Sequence, residues 1–166
     1  DDMGVLSLDE NGMIRSSGTE IGAFVRLDDL DAGYSFKELD RSVFMNPDKV
    51  NARIVIPITD YKDVVAKHHV DFFLYANNYE DGGEALSFFD NVDDALEVFR
   101  AGNRMAKGTT TEYGLVGSYF ANPFGPVQRQ EQTDPILVDY FNKMFEQGIK
   151  VGQLRTRLGI KGNEHK

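Results

Sequence analysis

The sequence predicts an α/β fold, a mixed sheet with flanking helices, in a single domain covering residues 1–166. Three observations lead to this prediction: strand-like runs come first, two helices with clear end signals follow, and the second helix leads directly into another strand. Hydrophobic residues make up 41% and charged residues 27% of the chain. This is ordinary globular usage, so disordered and fibrous classes are excluded.

Apolar runs between turn residues mark the predicted strands. Met3 to Leu8 and Met13 to Ser16 flank the pair Asn11-Gly12. That pair is typical of a two-residue type I′ hairpin turn, because both residues tolerate positive φ. Further strands are predicted at residues 22–27, 53–58, 70–76 and 149–154. The run 70–76 is almost wholly apolar, so we expect that strand to be buried on both faces.

Two helices have recognisable start and stop signals. Asn91 is a predicted N-cap, and the helix that follows stops at Gly102. In the second helix Asp134 is the predicted cap, Pro135 the first helical residue, and Gly148 lies just past the end. Both helices carry an apolar face that we interpret as core packing: Val92, Ala95, Leu96 and Phe99 in the first, and Ile136, Leu137, Tyr140, Phe141, Met144 and Phe145 in the second.

Charge and composition exclude several kinds of partner. The formal net charge is −9, and such a chain repels nucleic acid and anionic membranes at long range, so we expect neither as a partner. No apolar run approaches the ~18 residues that a membrane span needs. The chain has no cysteine, which excludes disulfides and thiolate metal sites and fits a reducing compartment. We therefore expect the protein to be cytoplasmic.

Three groups of residues are candidates for chemistry. Asp1-Asp2 could bind a hard divalent cation through carboxylate oxygens, although two such acids could equally be solvated. Arg53 enters an apolar run, where a guanidinium needs an anionic partner. That partner could be a bound phosphate or carboxylate, or a fixed acidic side chain. The segment 108–114, with its hydroxyls and flanking glycines, could be a mobile lid or a surface connector.

Adjacent histidines, His68-His69, do not predict a metal site. Neighbouring residues of a strand point in opposite directions, and no third ligand stands at a suitable spacing. We expect ordinary surface histidines here.

The order of these motifs resembles the carboxy-terminal, nucleotide-binding domain of phosphoenolpyruvate carboxykinase, particularly the ATP-using type. Asp1-Asp2 looks like the metal-binding Asp-Asp pair, and residues 20–26 are similar to the acid-Gly-Gly-x-Tyr-x-Lys segment after it. Residues 51–57, Asn-Ala-Arg followed by apolar residues and Pro, resemble the family's Asn-Thr-Arg segment. Thr110 to Gly114 matches the family's Gly-Thr-Glu-x-Gly lid except at its first position. Arg26 stands where the family has Lys, and Ile21-Gly22 where it has Gly-Gly.

This resemblance implies an activity and its cofactors. The parent protein would convert oxaloacetate and ATP to phosphoenolpyruvate, CO₂ and ADP, with GTP left open as the nucleotide. Mg²⁺ would accompany the nucleotide, and a second cation, typically Mn²⁺, would bind separately. The family's phosphate loop and its oxaloacetate-binding domain are expected upstream of Asp1. We therefore expect a partial domain that is inactive alone.

The same resemblance implies roles for individual residues. Arg53 would be catalytic, bridging the transferred phosphoryl group and the enolate formed by decarboxylation. The residues implied at the nucleotide and its phosphates are Gly22, Arg26, Thr111 and Glu112. Asp2, with Asp1 beside it or sharing the role, would hold the cation.

Two other functions stay open from the sequence. One is a non-catalytic, acidic interaction module that shares these spaced residues. The other is a different kinase-like domain with a phosphate loop followed by an Asp-bearing strand.

Overall fold

The computed structural model describes residues 4–20, 22–26, 53–57, 59–106, 113–121, 128–157 and 160, with only the backbone of 22–26 and 53–57. These residues form a mixed α/β structure, which confirms the predicted class. Instead of one sheet, the described strands make four small sheets of two or three strands. The chain divides into two compact units, Asp1–Asn11 with Arg15–His69, and Gly12–Ile14 with Val70–Lys166.

The first unit is mainly β. Its elements in chain order are β1 (Gly4–Leu8), β2 (Ile14–Gly18, whose first residue groups with the second unit), β3 (Gly22–Arg26), β4 (Arg53–Pro57), α1 (Tyr61–Val65) and β5 (His68–His69). One sheet has the order β1-β2-β5, and β3 pairs with β4 in an antiparallel ladder. His68 and His69 are both exposed, and the Nε2 of His68 donates to the carbonyl of Asp63 at 2.6 Å.

The turn between β1 and β2 differs from the predicted type I′ turn. That turn needs positive φ at both Asn11 and Gly12, but only Gly12 is left-handed, with φ 76°. The strands are joined by a longer loop, residues 9–13. Asp9 organises it, because Oδ1 accepts from the backbone N–H of Asn11 at 2.9 Å and Oδ2 from Nε of Arg15 at 2.8 Å. The Asp9 carboxylate therefore stabilises the loop, a role that the prediction gave to the Asn-Gly pair.

The second unit surrounds a small mixed sheet. Its elements are β6 (Phe72–Asn77), β7 (Leu86–Phe88), α2 (Val92–Ala101), β8 (Asn103–Ala106), β9 (Gly114–Gly117), α3 (Gln130–Glu146) and β10 (Lys150–Arg155). Strand β10 is central: it runs parallel to β6, with Lys150 opposite Phe72, and antiparallel to β7, with Gly152 opposite Phe88. β8 and β9 form a separate antiparallel pair. The predicted strand 149–154 is confirmed with a shift of one residue.

An aromatic cluster forms the core of the second unit. The ring of Phe99 on α2 lies 5.3 Å from that of Phe73, 5.2 Å from Tyr75, 5.6 Å from Phe120 and 5.0 Å from Phe141. These rings come from α2, β6, α3 and the 3₁₀ turn Tyr119–Ala121. Other buried apolar residues of this unit are Ile14, Val70, Ala95, Leu96, Met144, Ile149 and Val151.

Helix α2 begins and ends as predicted. Asn91 accepts from the backbone N–H of Asp94 at 2.9 Å, and Gly102 adopts φ 54°, with its N–H donating to the carbonyl of Val98. Both caps satisfy backbone groups that a helix end leaves open.

Helix α3 begins earlier than predicted, at Gln130, so Pro135 lies inside it and Asp134 is not its cap. The carboxylate of Asp134 is bound instead by Arg100 and Tyr119, which removes it from the backbone. Part of the predicted apolar face is also exposed: Phe141 and Met144 are buried, whereas Ile136 is 59% exposed.

Strand β6 is not buried on both faces as predicted. Phe73, Tyr75 and Asn77 lie on the face that packs against the core, and Phe72 on the opposite face is 59% exposed. Leu86, Phe88 and Leu154 lie on that same exposed face of β7 and β10. The apolar run therefore encodes two apolar faces, one of which is uncovered in the described structure. No helix in the described part of the chain is long and apolar enough to cross a membrane.

Gly102 and Gly148 provide a matched test of the packing at the end of α2. Both are left-handed, with φ 54° and 75°, so alanine at either costs about 1–2 kcal/mol. A Cβ at Gly148 meets nothing within 4 Å, whereas at Gly102 it would overlap the carbonyl of Ser118 and the backbone nitrogen of Ala121. We expect Gly102→Ala to lower the free energy of unfolding by about 1–3 kcal/mol more than Gly148→Ala in urea titrations. Equal losses would mean that the turn does not pack on this helix end.

Candidate functional site

The two arginines predicted to contact phosphate are brought together in the first unit. In the ladder of β3 and β4, Arg26 and Arg53 are direct register partners. Directly opposite positions of an antiparallel pair lie on the same face of a sheet. The pair ends the ladder, because β3 finishes at Arg26 and β4 begins at Arg53. The backbone therefore places Arg26 and Arg53, 27 positions apart in the sequence, opposite each other at one rung of the sheet.

The other predicted site residues are not all near this rung. Gly22 lies at the far end of the same ladder, opposite Pro57. Asp1, Asp2, Thr111 and Glu112 lie outside the described residues, so their predicted roles stay predictions. Among the residues that the structure does describe, no three His, Asp or Glu side chains come together as a metal site would require.

A second polar region lies where β6 and β10 end, in the second unit. We call it the carboxyl-end cluster; its members are Asn77, Tyr79, Glu80, Asp81, Gln153, Arg155, Thr156 and Arg157. Arg155 and Asn77 are register partners, so the parallel strands finish side by side. In sheets with parallel strands, ligands characteristically bind outside these carboxyl ends.

Arg155 fixes the loop that follows β6. Its Nε donates to Oδ1 of Asp81 at 2.6 Å, and its Nη1 donates to the carbonyl of Glu84 and to Oγ of Ser87 at 2.9 and 2.8 Å. Nη2 donates to Oε1 of Gln153 at 3.1 Å. The Arg155 side chain is 12% exposed. With its donors used in this way, Arg155 serves to hold the loop and not to bind a ligand.

The end of β6 is joined to its neighbours by asparagine and threonine. The carbonyl of Asn77 accepts from the backbone N–H and the hydroxyl of Thr156, at 2.9 and 2.7 Å. The side chain of Asn78 exchanges two hydrogen bonds with the backbone of Met105, at 2.7 and 2.9 Å. The Asn78 side chain thereby links the end of β6 to β8 through two hydrogen bonds.

Burial and neighbouring charges shift the pKa values of three groups here. Burial, followed by the nearby Tyr79, raises the pKa of Tyr75 to about 12, and its hydroxyl donates to the carbonyl of Asn103 at 2.7 Å. Burial, followed by Asp81, also raises the pKa of Tyr79. The hydrogen bond from Arg155 lowers the pKa of Asp81. Both tyrosines therefore stay neutral at physiological pH, while Asp81 stays ionised.

A third polar group joins α2 to α3. Arg100 binds Asp134 through Nε and Nη2, at 2.8 and 2.6 Å, and the hydroxyl of Tyr119 donates to Oδ1 of Asp134 at 2.9 Å. The hydrogen bond from Arg100 lowers the pKa of Asp134. Because every one of these contacts lies between α2, α3 and the turn Tyr119–Ala121, we interpret the group as a structural ion pair.

Two clefts are described in the second unit. One, of about 600 Å³, is lined by residues around the first turn of α3, and the other, of about 300 Å³, by aromatic and backbone groups at the start of β10. The first includes Asp134, already bound by Arg100 and Tyr119, and the second is lined by Phe88, Phe89, Phe145 and Ile149 among others. Neither brings together a nucleophile and a base.

The carboxyl-end cluster was missed by sequence reasoning. Its signals were two predicted strands, 70–76 and 149–154, each followed by polar residues, with Asp81-Gly82-Gly83 marking a turn. The strand ends meet only because β6 and β10 pair in parallel, and residues 77 and 155 are too far apart in sequence for a local pattern to show it.

The loss of stability at acidic pH provides a test of the Asp81–Arg155 pair. Folding lowers the pKa of Asp81, so its ionised carboxylate stabilises the folded state. This stabilisation is complete above the pKa of Asp81 in the unfolded chain, about 4, and is lost as pH falls through the pKa of Asp81 in the folded protein. We expect Asp81→Asn to be less stable at pH 7 and to lose less stability than the parent between pH 5 and about 2. Urea unfolding at several pH values measures this, with exposed Asp90→Asn as the control for removing one charge. If Asp81→Asn and the parent lost the same free energy of unfolding between pH 5 and about 2, the pairing would be contradicted.

Comparison with family models, curated proteins and solved structures gave no match to this chain.

Proposed function

We propose that this chain is the phosphoryl-binding part of a phosphoenolpyruvate carboxykinase-like enzyme. The single observation that carries the proposal is the register of Arg26 and Arg53 across β3 and β4. The resemblance gave both residues phosphate roles from separate segments, and the two segments pair so that these residues are opposite each other.

Electrostatics favours an anion at this rung. Like charges at directly opposite positions of a sheet are destabilising by roughly 0.2–1 kcal/mol. A phosphate bound between the two arginines would offset that repulsion. It would accept a charge-assisted hydrogen bond from each guanidinium, and each such bond is stronger than a neutral hydrogen bond. A shared anion would therefore stabilise two arginines at one rung.

In the proposed reaction, each arginine has a distinct task. Arg53 would stand between the transferred phosphoryl group and the enolate of the substrate and neutralise the oxygens on which charge develops. Arg26 would hold the phosphates of the nucleotide and keep the reacting atoms in line. Gly22, at the other end of the ladder, would allow the backbone to approach the nucleotide.

The remaining parts of the proposal follow from the resemblance. Asp1 and Asp2 would hold a divalent cation, Mn²⁺, while Mg²⁺ accompanies ATP or GTP. Thr111 and Glu112 would belong to a lid that excludes water from the enolate. Oxaloacetate would be bound by a domain outside this chain, and the cytoplasm is the proposed location.

A second candidate is the non-catalytic interaction module. It is favoured by the uncovered apolar face of the β6-β10-β7 sheet, where Phe72 is 59% and Phe88 44% exposed. Exposed apolar surface of this kind is typical of interaction sites. The two candidates differ in one measurable property, because only the first needs an anion at Arg26 and Arg53.

Anion binding at the arginine rung is expected to stabilise the chain. Pyrophosphate at about ten times its dissociation constant adds about 1.4 kcal/mol to the free energy of unfolding and raises the melting temperature. We expect Arg53→Gln to lose this rise, while in the absence of pyrophosphate it melts no lower than the parent, because the repulsion with Arg26 is relieved. The measurement is thermal melting with and without pyrophosphate.

Arg15→Gln is the matched control for this experiment. It removes one arginine from the first unit, but Arg15 is paired with Asp9 at 2.8 Å, so its loss should leave the response to pyrophosphate intact. If Arg15→Gln and Arg53→Gln respond alike, binding is non-specific attraction to positive charge. If neither the parent nor Arg15→Gln responds, the proposal fails and the interaction module becomes the better reading.

Arg53→Lys tests the catalytic role in the full-length parent protein. Lysine keeps the charge but loses the planar fork that contacts two oxygens. We expect kcat to fall by ~10²–10³, the scale for losing one preorganised donor at developing charge, with a smaller change in KM. Melting of the same sample should stay close to that of the parent. A lower melting temperature with normal turnover would make Arg53 part of a structural ion pair.

A further inference from the structure

A cleft lies where the pairing of β7 with β10 ends, in the second unit. We call it the β7–β10 cleft. Its volume is about 300 Å³, and the residues that line it include Phe88, Phe89 and Phe145. Asp90 and Lys150 also line it, so one acidic and one basic residue accompany three aromatic ones. Sites for small molecules typically combine apolar and aromatic side chains with a few polar groups, and this volume is at the small end of their range.

The register of the two strands places Asp90 and Lys150 opposite each other. β7 pairs antiparallel with β10, and the N–H of Phe89 donates to the carbonyl of Val151 at 2.9 Å, one step beyond the last paired residues. The next positions in the same register are Asp90 and Lys150. Opposite positions of an antiparallel pair lie on one face of the sheet, with Cβ atoms roughly 4.5–5.5 Å apart where the ladder is regular. The register therefore brings one negative and one positive residue to the same end of the ladder.

These two opposite charges do not form an ion pair with each other. Neither side chain takes part in an ion pair or a side-chain hydrogen bond with any residue that the structure describes, and both residues are exposed. The cleft therefore offers an ammonium donor and a carboxylate acceptor, beside aromatic rings, that a ligand can contact.

We propose that the β7–β10 cleft binds a free α-amino acid with an apolar side chain. Lys150 donates to the carboxylate of the ligand, Asp90 accepts from its ammonium group, and the phenylalanines contact its side chain. A zwitterion fits both charged residues, whereas a ligand with a single charge lies beside a like charge as well. The site lies in the second unit and uses no residue of the carboxykinase-like proposal, so either proposal can fail without the other.

A cross-strand ion pair in solution is the competing explanation. The flexible side chain of Lys150 is long enough to reach a residue on the neighbouring strand, and exposed pairs of this kind open and close readily. If Asp90 and Lys150 only neutralise each other, a ligand gains nothing from carrying both charges. The two explanations therefore differ in how binding depends on the charged groups of the ligand.

The first arm of the test titrates the unmodified chain with three related molecules. L-Phenylalanine carries both charges, 2-phenylethylamine lacks the carboxylate, and 3-phenylpropanoate lacks the ammonium group. The backbone amide signals of Gly148, Lys150 and Val151 are followed by NMR. We expect saturable shifts with L-phenylalanine in the millimolar range, as is typical of so small a ligand, and about 3–10-fold weaker binding of the other two. Equal affinities for all three, or no saturable shift with L-phenylalanine up to ~50 mM, would overturn the proposal.

The second arm repeats the titrations with one charge of the cleft removed. We expect Lys150→Gln to weaken the binding of L-phenylalanine about 3–10-fold but not that of 2-phenylethylamine, which has no carboxylate. Asp90→Asn should weaken the binding of L-phenylalanine but not that of 3-phenylpropanoate, which has no ammonium group. If either variant weakened the binding of all three molecules alike, the assignment of Lys150 to the carboxylate and Asp90 to the ammonium group would be wrong.

Lys143→Gln is the matched control for Lys150→Gln. It removes a lysine of α3 that pairs with Asp139 and does not line the cleft. Its affinities for the three molecules should equal those of the parent. If Lys143→Gln and Lys150→Gln weakened the binding of L-phenylalanine equally, binding would follow the net charge of the chain, and the proposal would fail.

Discussion

The packing of Phe99 is the interaction on which the second unit depends. Its ring meets aromatic rings from β6, from α3 and from the turn after β9, so one side chain of α2 contacts three other segments. Edge-on and offset contacts of this kind add roughly 0.5–1.5 kcal/mol each beyond the burial of area. They also fix the direction of the helix over the sheet. Phe73, Tyr75 and Asn77 are alternate residues of β6, so the packing of the first two against Phe99 also turns Asn77 toward the core.

Helix caps and strand positions could be predicted because their signals are local. Asn91 and Gly102 act through backbone groups within four residues, and the strands at 53 and 149 are continuous apolar runs. Asp134 shows where this reasoning stops. By sequence it is a good cap before a proline, but Arg100 lies 34 residues away and binds the carboxylate through two donors. A long-range ion pair outcompeted a local role, and the helix began at Gln130 instead.

The same division applies to the candidate sites. Arg26 and Arg53 were singled out separately, by resemblance and by an arginine entering an apolar run, yet their pairing depends on the β3–β4 register. Register follows from how side chains on both strands fit their surroundings, which a single run of residues does not contain. Asn77 was only the first residue after the predicted strand 70–76. Its burial is a property of the folded interior, which a run of residues in the sequence does not show.

The parallel pairing of β6 and β10 has a consequence for how this unit is formed. Arg155 and Asp81, which lock the sheet, are 74 residues apart, and Thr156 and Asn77 are 79 apart. A contact between such distant residues forms only after a long loop has closed. The loss of chain entropy on closure comes before any stabilisation by the contact, and this slows folding. Helix α2 lies within that interval and brings its own caps, so it can form early. During synthesis β6 must wait for β10 to leave the ribosome, and its apolar residues, Phe72 included, remain without a sheet partner on that side until then.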